Sequence, residues 1–206
     1  MIRCQNCSAP LSGFKGACGY CGSYNNVDRD LLMRTPLASG ESNLACPGCG
    51  GEMRNLDLGK DGDKTLCADQ CGICFGLFFP FFKLDVVLND LARFGFLKDM
   101  PRLEDLTRNA PIEANLTYRK CPVCAKIMNR INFGRRSGVV TDQCHGHGIW
   151  LDAGELQRLV EWKNAGGKLV DEEYRKQEAR SRELREKRVR EDLARLRREA
   201  NRQDPY

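Results

Sequence analysis

The sequence predicts small metal-bound β-rich (α+β) modules followed by a long charged C-terminal α-helix, and three observations predict it. Twelve of the 206 residues are cysteines, nearly all in Cys-x-x-Cys pairs. Residues 46–91 and 121–160 repeat one another, each running from such a pair through two strand-like segments into a short amphipathic helix. The stretch from Lys168 to Tyr206 has no glycine and sets acidic residues four positions ahead of basic ones, an order that supports a helix.

The cysteines carry most of the argument. They make up about 6% of the chain, below the roughly 8–10% that marks a disulfide scaffold, and they cluster. The pairs are Cys4/Cys7, Cys18/Cys21, Cys46/Cys49, Cys71/Cys74 and Cys121/Cys124, and Cys144-His145-Gly146-His147 supplies a sixth with His147 in the second place. Two thiolates two residues apart point at one ion from a tight turn, and two such turns give Zn²⁺ its tetrahedron. An iron–sulphur cluster also takes four thiolates; a thioredoxin-like pair would need a βαβ setting that none of these has. Three sets follow, so three zinc ions per chain are expected. Gly19, Gly22, Gly48, Gly50, Gly72, Gly146 and Gly148 fit the positive φ such turns require, and Pro47 and Pro122 preset the first corner. Four protein ligands close each coordination sphere, where catalytic zinc keeps an open position. Cys67 is left over, either a competing ligand or a packed thiol.

The modules read as follows. Residues 1–25 form an N-terminal Cys4 ribbon, and 26–45 a linker with a short helical segment from Val27 to Met33. Residues 46–95 form a second ribbon with a helix, 96–118 a linker, 119–165 a third ribbon (Cys3His) with a helix, and 166–206 a charged helical tail. The first strands are read at Glu52 to Leu58 and Lys126 to Phe133, followed by glycine-bearing turns. In the third module Asp152 reads as the N-cap, with Glu155 three residues on completing a capping box. Leu156, Leu159 and Val160 there, and Leu84, Val87, Leu88 and Leu91 in the second module, lie on one helical face. Each helix is expected to fold onto its own hairpin, with metal supplying the stability a small core lacks.

The run Cys121-Pro122-Val123-Cys124 … Asp142-Gln143-Cys144-His145-Gly146-His147-Gly148-Ile149-Trp150-Leu151-Asp152-Ala153-Gly154-Glu155-Leu156 resembles the TFIIB-type (transcription factor) zinc-finger family of small bacterial zinc-ribbon proteins. The second module is similar to a diverged copy, and the first to the generic ribbon often placed ahead of such domains. The resemblance implies fold rather than activity. It departs in two places. Phe78-Phe79-Pro80-Phe81-Phe82-Lys83-Leu84 stands where the family's Asp-x-Gly-Glu-Leu turn would lie, and His147 replaces a cysteine.

Charge points to partners. The formal +5 hides an uneven distribution: from Arg119 to Leu151 six basic residues face Asp142 alone, while residues 46–84 carry four basic and five acidic side chains. Arg130, Arg135 and Arg136 lie on or beside a hairpin turn that can meet phosphates or an acidic protein face, with Phe133 as a stacking side chain. Phe78 to Phe82 form an aromatic patch whose Phe81 and Phe82 are candidate partner contacts. The tail's apolar residues do not sustain an a/d heptad, so a stable coiled coil is not supported. The longest apolar run, Gly72 to Phe82, has 11 residues with Pro80 inside it, against roughly 20 needed to span a bilayer. With no apolar leader after Met1 and no sign of disulfides, a cytoplasmic protein is expected. No nucleophile arrangement, phosphate loop or carboxylate pair appears, and both histidines belong to one knuckle. The function expected is a non-enzymatic zinc-binding adaptor, without a small-molecule substrate. Its third ribbon and Arg-rich tail would contact nucleic acid or a transcription or translation machine. A protein scaffold using the aromatic patch, or a zinc- or redox-responsive regulator, are the alternatives.

Overall fold

Leu56 and Leu58, and Leu66 and Ala68, alternate with more exposed neighbours along two strands, Ile149-Trp150-Leu151 is a continuous apolar run in a third, and the helical periodicities after each ribbon build the helices that cover them. The computed structural model describes residues 3–11, 16–32, 39–61, 64–92, 97–110 and 117–203. In chain order the elements are α1 (Arg29–Leu32), β1 (Ser39–Ala45), β2 (Glu52–Asp61), β3 (Lys64–Cys71), β4 (Leu77–Pro80), α2 (Lys83–Leu91), α3 (Met100–Arg108), β5 (Asn129–Asn132), β6 (Val140–Cys144), β7 (Gly148–Leu151), α4 (Glu155–Asn164) and α5 (Gly167–Gln203). The mixed α+β class with three cysteine-rich sites and a long C-terminal helix is the one the sequence predicts. Residues 26–45 and 96–118, expected as linkers, contain α1 and β1, and α3, respectively. Met33, the end of the expected first helix, lies outside the described residues.

The chain divides into two compact units, Met1–Lys168 and Leu169–Tyr206. In the first, all strands join one antiparallel sheet in the order β1-β2-β3-β4-β7-β6-β5. The second and third ribbons therefore share a sheet through β4 and β7, paired as Leu77↔Leu151, Phe78↔Trp150, Phe79↔Ile149 and Pro80↔Gly148. That pairing joins two ribbons that the sequence reads as separate modules, while α2 still packs on β3 and β4 of its own ribbon. Strand alternation sends Leu77, Phe79, Ile149 and Leu151 to one face, where they form a common core with Leu84, Val87 and Leu88 of α2 and Leu156, Leu159 and Val160 of α4. Phe78 and Trp150 point to the opposite face, where they pack with Met53, Met128 and ligand cysteines of both ribbons.

The repeat is a pseudo-two-fold. Asp69 pairs with Phe78 and Gln70 with Leu77 in the second ribbon, as Asp142 pairs with Trp150 and Gln143 with Ile149 in the third. Phe78 is thus the counterpart of Trp150, and Leu77 of Ile149. Exchanging the two ribbons leaves the β4–β7 pairing unchanged, with the Phe78–Trp150 pair at its centre. This is the isologous arrangement of a symmetric dimer, built within one chain.

Helix α3 is tied down by Arg158, which is 2% exposed. Its Nε donates to the Ser137 carbonyl at 3.0 Å, and its Nη2 donates to the Leu106 carbonyl. Burial lowers the pKa of this guanidinium. Carbonyl dipoles rather than a carboxylate receive it, and they join α3, the turn before β6 and α4. Within α5, the side chains of residues 172–199 are all exposed. At about 1.5 Å per residue the helix runs about 55 Å, and Arg182–Glu186 (2.9 Å) and Arg195–Asp192 (3.2 Å) are among the ion pairs along it.

Candidate metal centres

Each knuckle is a backbone turn that aims sulphurs inward. In five of the six the first cysteine's N–H donates to the carbonyl five residues on: Cys4 to Ala9, Cys18 to Ser23 and Cys46 to Gly51 at 2.9 Å, Cys71 to Gly76 at 3.0 Å, and Cys121 to Lys126 at 2.8 Å; in the sixth the His147 N–H donates to the Cys144 carbonyl at 3.2 Å. Within the turn, backbone N–H groups point at sulphur, as from Gly48 (3.3 Å) and Cys49 (3.4 Å) to Cys46 Sγ and from Ile73 to Cys71 Sγ (3.4 Å). Such donors stabilise thiolate charge.

The turn requires a left-handed residue just after its second cysteine. That place is taken by Ser8 (φ 57°), Gly22 (72°), Gly50 (74°), Phe75 (60°) and Ala125 (58°). Of the seven glycines expected at positive φ, only Gly22 and Gly50 have it. The requirement sits one residue beyond the pair, and in three of the five turns a residue with a Cβ meets it. L-residues in this region cost roughly 1–2 kcal/mol. Ala125→Gly, at an exposed site, is therefore expected to raise stability by about 0.5–1 kcal/mol, read as an upward shift of the thermal midpoint of zinc-loaded protein.

The twelve predicted ligands come together in three sets of four: Cys4, Cys7, Cys18 and Cys21; Cys46, Cys49, Cys71 and Cys74; and Cys121, Cys124, Cys144 and His147. The four ligand atoms of each set lie within 4.8 Å of one another. Their spacing fits zinc. Bonds of about 2.3 Å to sulphur and about 2.0–2.1 Å to nitrogen, set tetrahedrally, put sulphurs about 3.8 Å apart and sulphur and nitrogen about 3.6 Å apart. The Sγ–Sγ distances are 3.7 Å (Cys4–Cys21), 3.6 Å (Cys7–Cys18), 3.5 Å (Cys46–Cys74), 3.4 Å (Cys49–Cys71) and 3.8 Å (Cys124–Cys144). His147 presents Nδ1 at 3.7 Å from Cys121 Sγ and 3.4 Å from Cys144 Sγ. Three such sites suit three zinc ions, and no position in the donor sets is left for a reacting water. In the second set the contact with Cys74 draws the Cys46 thiol down to about 5 and pushes Cys74 up. Cys67 lies on β3 opposite Asp57, outside the set.

Two residues outside the ligand sets hold the third ribbon's frame. Arg119, one of the third ribbon's six basic residues, is 16% exposed in its side chain. It donates to Asp142 Oδ2 at 2.9 Å and to both oxygens of Asp152 at 2.9 and 2.8 Å. Asp152 also accepts from Trp150 Nε1 at 3.0 Å. With its carboxylate so occupied, Asp152 does not cap α4. Only the return half of the capping box forms, the Asp152 N–H donating to Glu155 Oε2 at 2.8 Å. The cap comes from Asp28, fully buried, whose carboxylate accepts from the N–H groups of Gly154 (2.6 Å) and Gln157 (2.9 Å). Burial pushes Asp28 up to about 6 against the pull of those two hydrogen bonds. Asn25 fixes the approach: it accepts from the Gln5 N–H (2.8 Å) and donates to the Ser23 carbonyl (2.9 Å), binding the first ribbon to the residues that lead into Asp28.

The partner-contact candidates separate. Arg135 and Arg136 are exposed at the turn, Arg136 within 3.4 Å of Glu104, and Arg130 is half-buried with Nη1 3.5 Å from the Thr117 carbonyl. Phe133 meets Trp162 edge-on at 6.1 Å and packs against the core, which removes it as a stacking surface. The aromatic patch is mostly core. Phe78 and Phe79 are buried, Phe81 is half-buried, and Phe82 alone stands out at 78% exposed. Phe82 (φ 65°) holds the position before α2 that Gly154 (φ 92°) holds before α4. Phe82→Gly is expected to stabilise by about 1 kcal/mol in denaturant titration.

Zinc ribbons are the class that this fold and these donor sets define. Residues 120–161 match the transcription factor zinc-finger family, which covers the third ribbon and most of α4. No curated protein and no solved structure matches the chain. Among the described residues, no helix is long and apolar enough to cross a membrane.

Proposed function

We propose that this chain is a non-catalytic zinc-binding adaptor that contacts nucleic acid, or a machine built on it, through the third ribbon and the basic face of α5. The observation that carries the reading is the distribution of charge on α5. At about 100° per residue, Lys176, Arg180, Lys187, Arg188, Arg195 and Arg198 fall within about 120° of one another, facing only Glu173 and Glu191. Val189, Leu193 and Leu196 lie on the other side, Tyr174 sits at the edge of the basic face and Leu184 within it, and all five are exposed. On the third ribbon, Lys120, Lys126, Arg135 and Arg136 are exposed, while the acid of that stretch, Asp142, is buried against Arg119. Nothing there reads base edges, so the binding is to phosphate and strand shape. Closed four-ligand spheres support a structural role for the metal.

Fluorescence anisotropy of zinc-loaded full-length protein with labelled RNA and DNA across a salt series tests this. Log K is expected to fall with log salt at about 0.7–0.9 per neutralised phosphate. Lys120→Glu with Lys126→Glu, or Arg180→Glu with Arg188→Glu, is expected to make the slope shallower by about 1 per lost contact. An absence of binding to either nucleic acid at low salt would sink the reading. A protein-scaffold role is favoured by one observation, the exposed Phe82 held at positive φ. It predicts partner capture that salt leaves unchanged and Phe82→Ser abolishes.

A further inference from the structure

The centre of the pseudo-two-fold is built by rings crossing between ribbons. A methyl group added to Gly76 would overlap the indole of Trp150, and a Cβ on Gly48 would lie 3.5 Å from the same ring. Gly48 belongs to the first knuckle of the second zinc site. Gly76 carries the carbonyl that holds Cys71 in the second knuckle, at 3.0 Å. The indole of the third ribbon therefore braces both knuckles of its neighbour's site. The reverse contact exists as well. A methyl group on Gly148, the residue after His147, would lie 2.9 Å from the Phe78 ring and overlap the Phe79 carbonyl. Gly76 and Gly148 are counterparts in the repeat, as are Phe78 and Trp150, so each ribbon lays its central ring on the glycine beside the other's last ligand. Cys46, Cys71, Cys74 and Cys121 pack in one cluster with Met53, Met128, Phe78 and Trp150. The first site has a separate cluster of Cys4, Leu11, Cys18 and Val27.

We propose that Trp150 and Phe78 are positioning residues for the zinc site of the neighbouring ribbon, so that the second and third sites load as a pair. Cys144 and His147 flank the turn into β7, so zinc there fixes the strand that carries Trp150. Asp152 and Arg119 then hold the indole through its Nε1 hydrogen bond. With the indole in place, the Cys46 and Cys71 knuckles are already ordered when zinc arrives. Zinc at Cys71 and Cys74 in turn fixes β4 and brings Phe78 onto Gly148. Whichever site fills first bears the ordering cost of the shared β4–β7 pair, and the second binds tighter by the part already met.

The test is a zinc titration of reduced, metal-free full-length chain against a competing chelator, read by native mass spectrometry. Alkylation of unprotected cysteines assigns which site is filled. At half-loading of the second and third sites, independent sites of equal affinity leave about half of the chains with one of the two filled, whereas tenfold coupling leaves about a quarter. The wild type is expected at or below a quarter. Trp150→Phe, which keeps a ring on Gly76, is expected to load in pairs. Trp150→Ala is expected to bind three zinc ions at saturation while filling the second and third sites one at a time. If Trp150→Ala does not fold, Trp150→Leu takes its place. Wild-type populations at the independent value would overturn the proposal, and so would pairing that survives loss of the ring.

Discussion

Stripping the zinc from reduced protein with a chelator is expected to abolish the strand signal in far-UV circular dichroism and to leave part of the helical signal. In small folds a structural zinc ion contributes on the order of 10–16 kcal/mol, as much as the whole net stability of a typical domain, about 5–15 kcal/mol. The first unit depends on it most directly where the core is least. The first ribbon buries Leu11 and Val27 beside its ligands, with Ala9 packed alongside. The second and third ribbons share their apolar cluster with ligand cysteines, so the metal and the core are lost together. Helix α5 has 37 residues and ion pairs four apart. It exceeds the roughly 12–15 residues below which isolated helices are marginal, so its signal should persist at low temperature. Acid is expected to act as the chelator does. Ligand thiols must lose their protons to bind, so zinc retention, followed with a chromogenic chelator, falls as pH is lowered from 7. A chain that keeps its strand signal after metal analysis reads zero zinc would refute the dependence.

What the sequence disclosed and what it did not follow from the range of the forces involved. Ligand pairs two residues apart are set by local turn geometry, so spacing, with the repeat to choose His147, points to the residues whose donor atoms converge. The helices after each ribbon were legible for the same reason, since i, i+3, i+4 apolar spacing is local. The union of the ribbons was hidden. Phe78 and Trp150 read as aromatics of separate modules, and nothing nearby in sequence says that Gly76 and Gly148 make room for the other ribbon's ring. Charge was misread where a long-range partner exists. Arg119 adds to a count of cations, but its side chain is held between Asp142 and Asp152, 23 and 33 residues on. Asp152 illustrates a subtler failure. Its spacing to Glu155 is that of a capping box, and half of the box forms, yet the competing demand of Arg119 and Trp150 takes its carboxylate away from the helix.

The residue that replaces it, Asp28, carries the second large effect. Removing its side chain by Asp28→Ala is expected to cost on the order of 2–3 kcal/mol at pH 7. The Gly154 and Gln157 N–H groups at the start of α4 lose a charged acceptor across 126 and 129 residues of sequence. The first ribbon also loses a tie to the third, leaving the Gly16 N–H to the Ala153 carbonyl at 3.1 Å as the adjacent one. Asp28→Asn is expected to recover only part, because a carboxamide accepts from one N–H and presents its own donors to the other. The pH dependence has a definite sign. Burial raises the folded-state value to about 6 from 3.8, so the folded chain takes up the proton before the unfolded one does. The contribution of Asp28 therefore increases as pH falls through 6 and levels off below the unfolded value, the reverse of an exposed, salt-bridged aspartate. Between pH 7 and pH 5, the stability gap between wild type and Asp28→Ala is expected to widen by about 1 kcal/mol. Measuring the difference between the two proteins under identical zinc saturation cancels the proton competition at the metal. A gap that narrows over that range would show that the two backbone donors outweigh burial and hold the carboxylate charged.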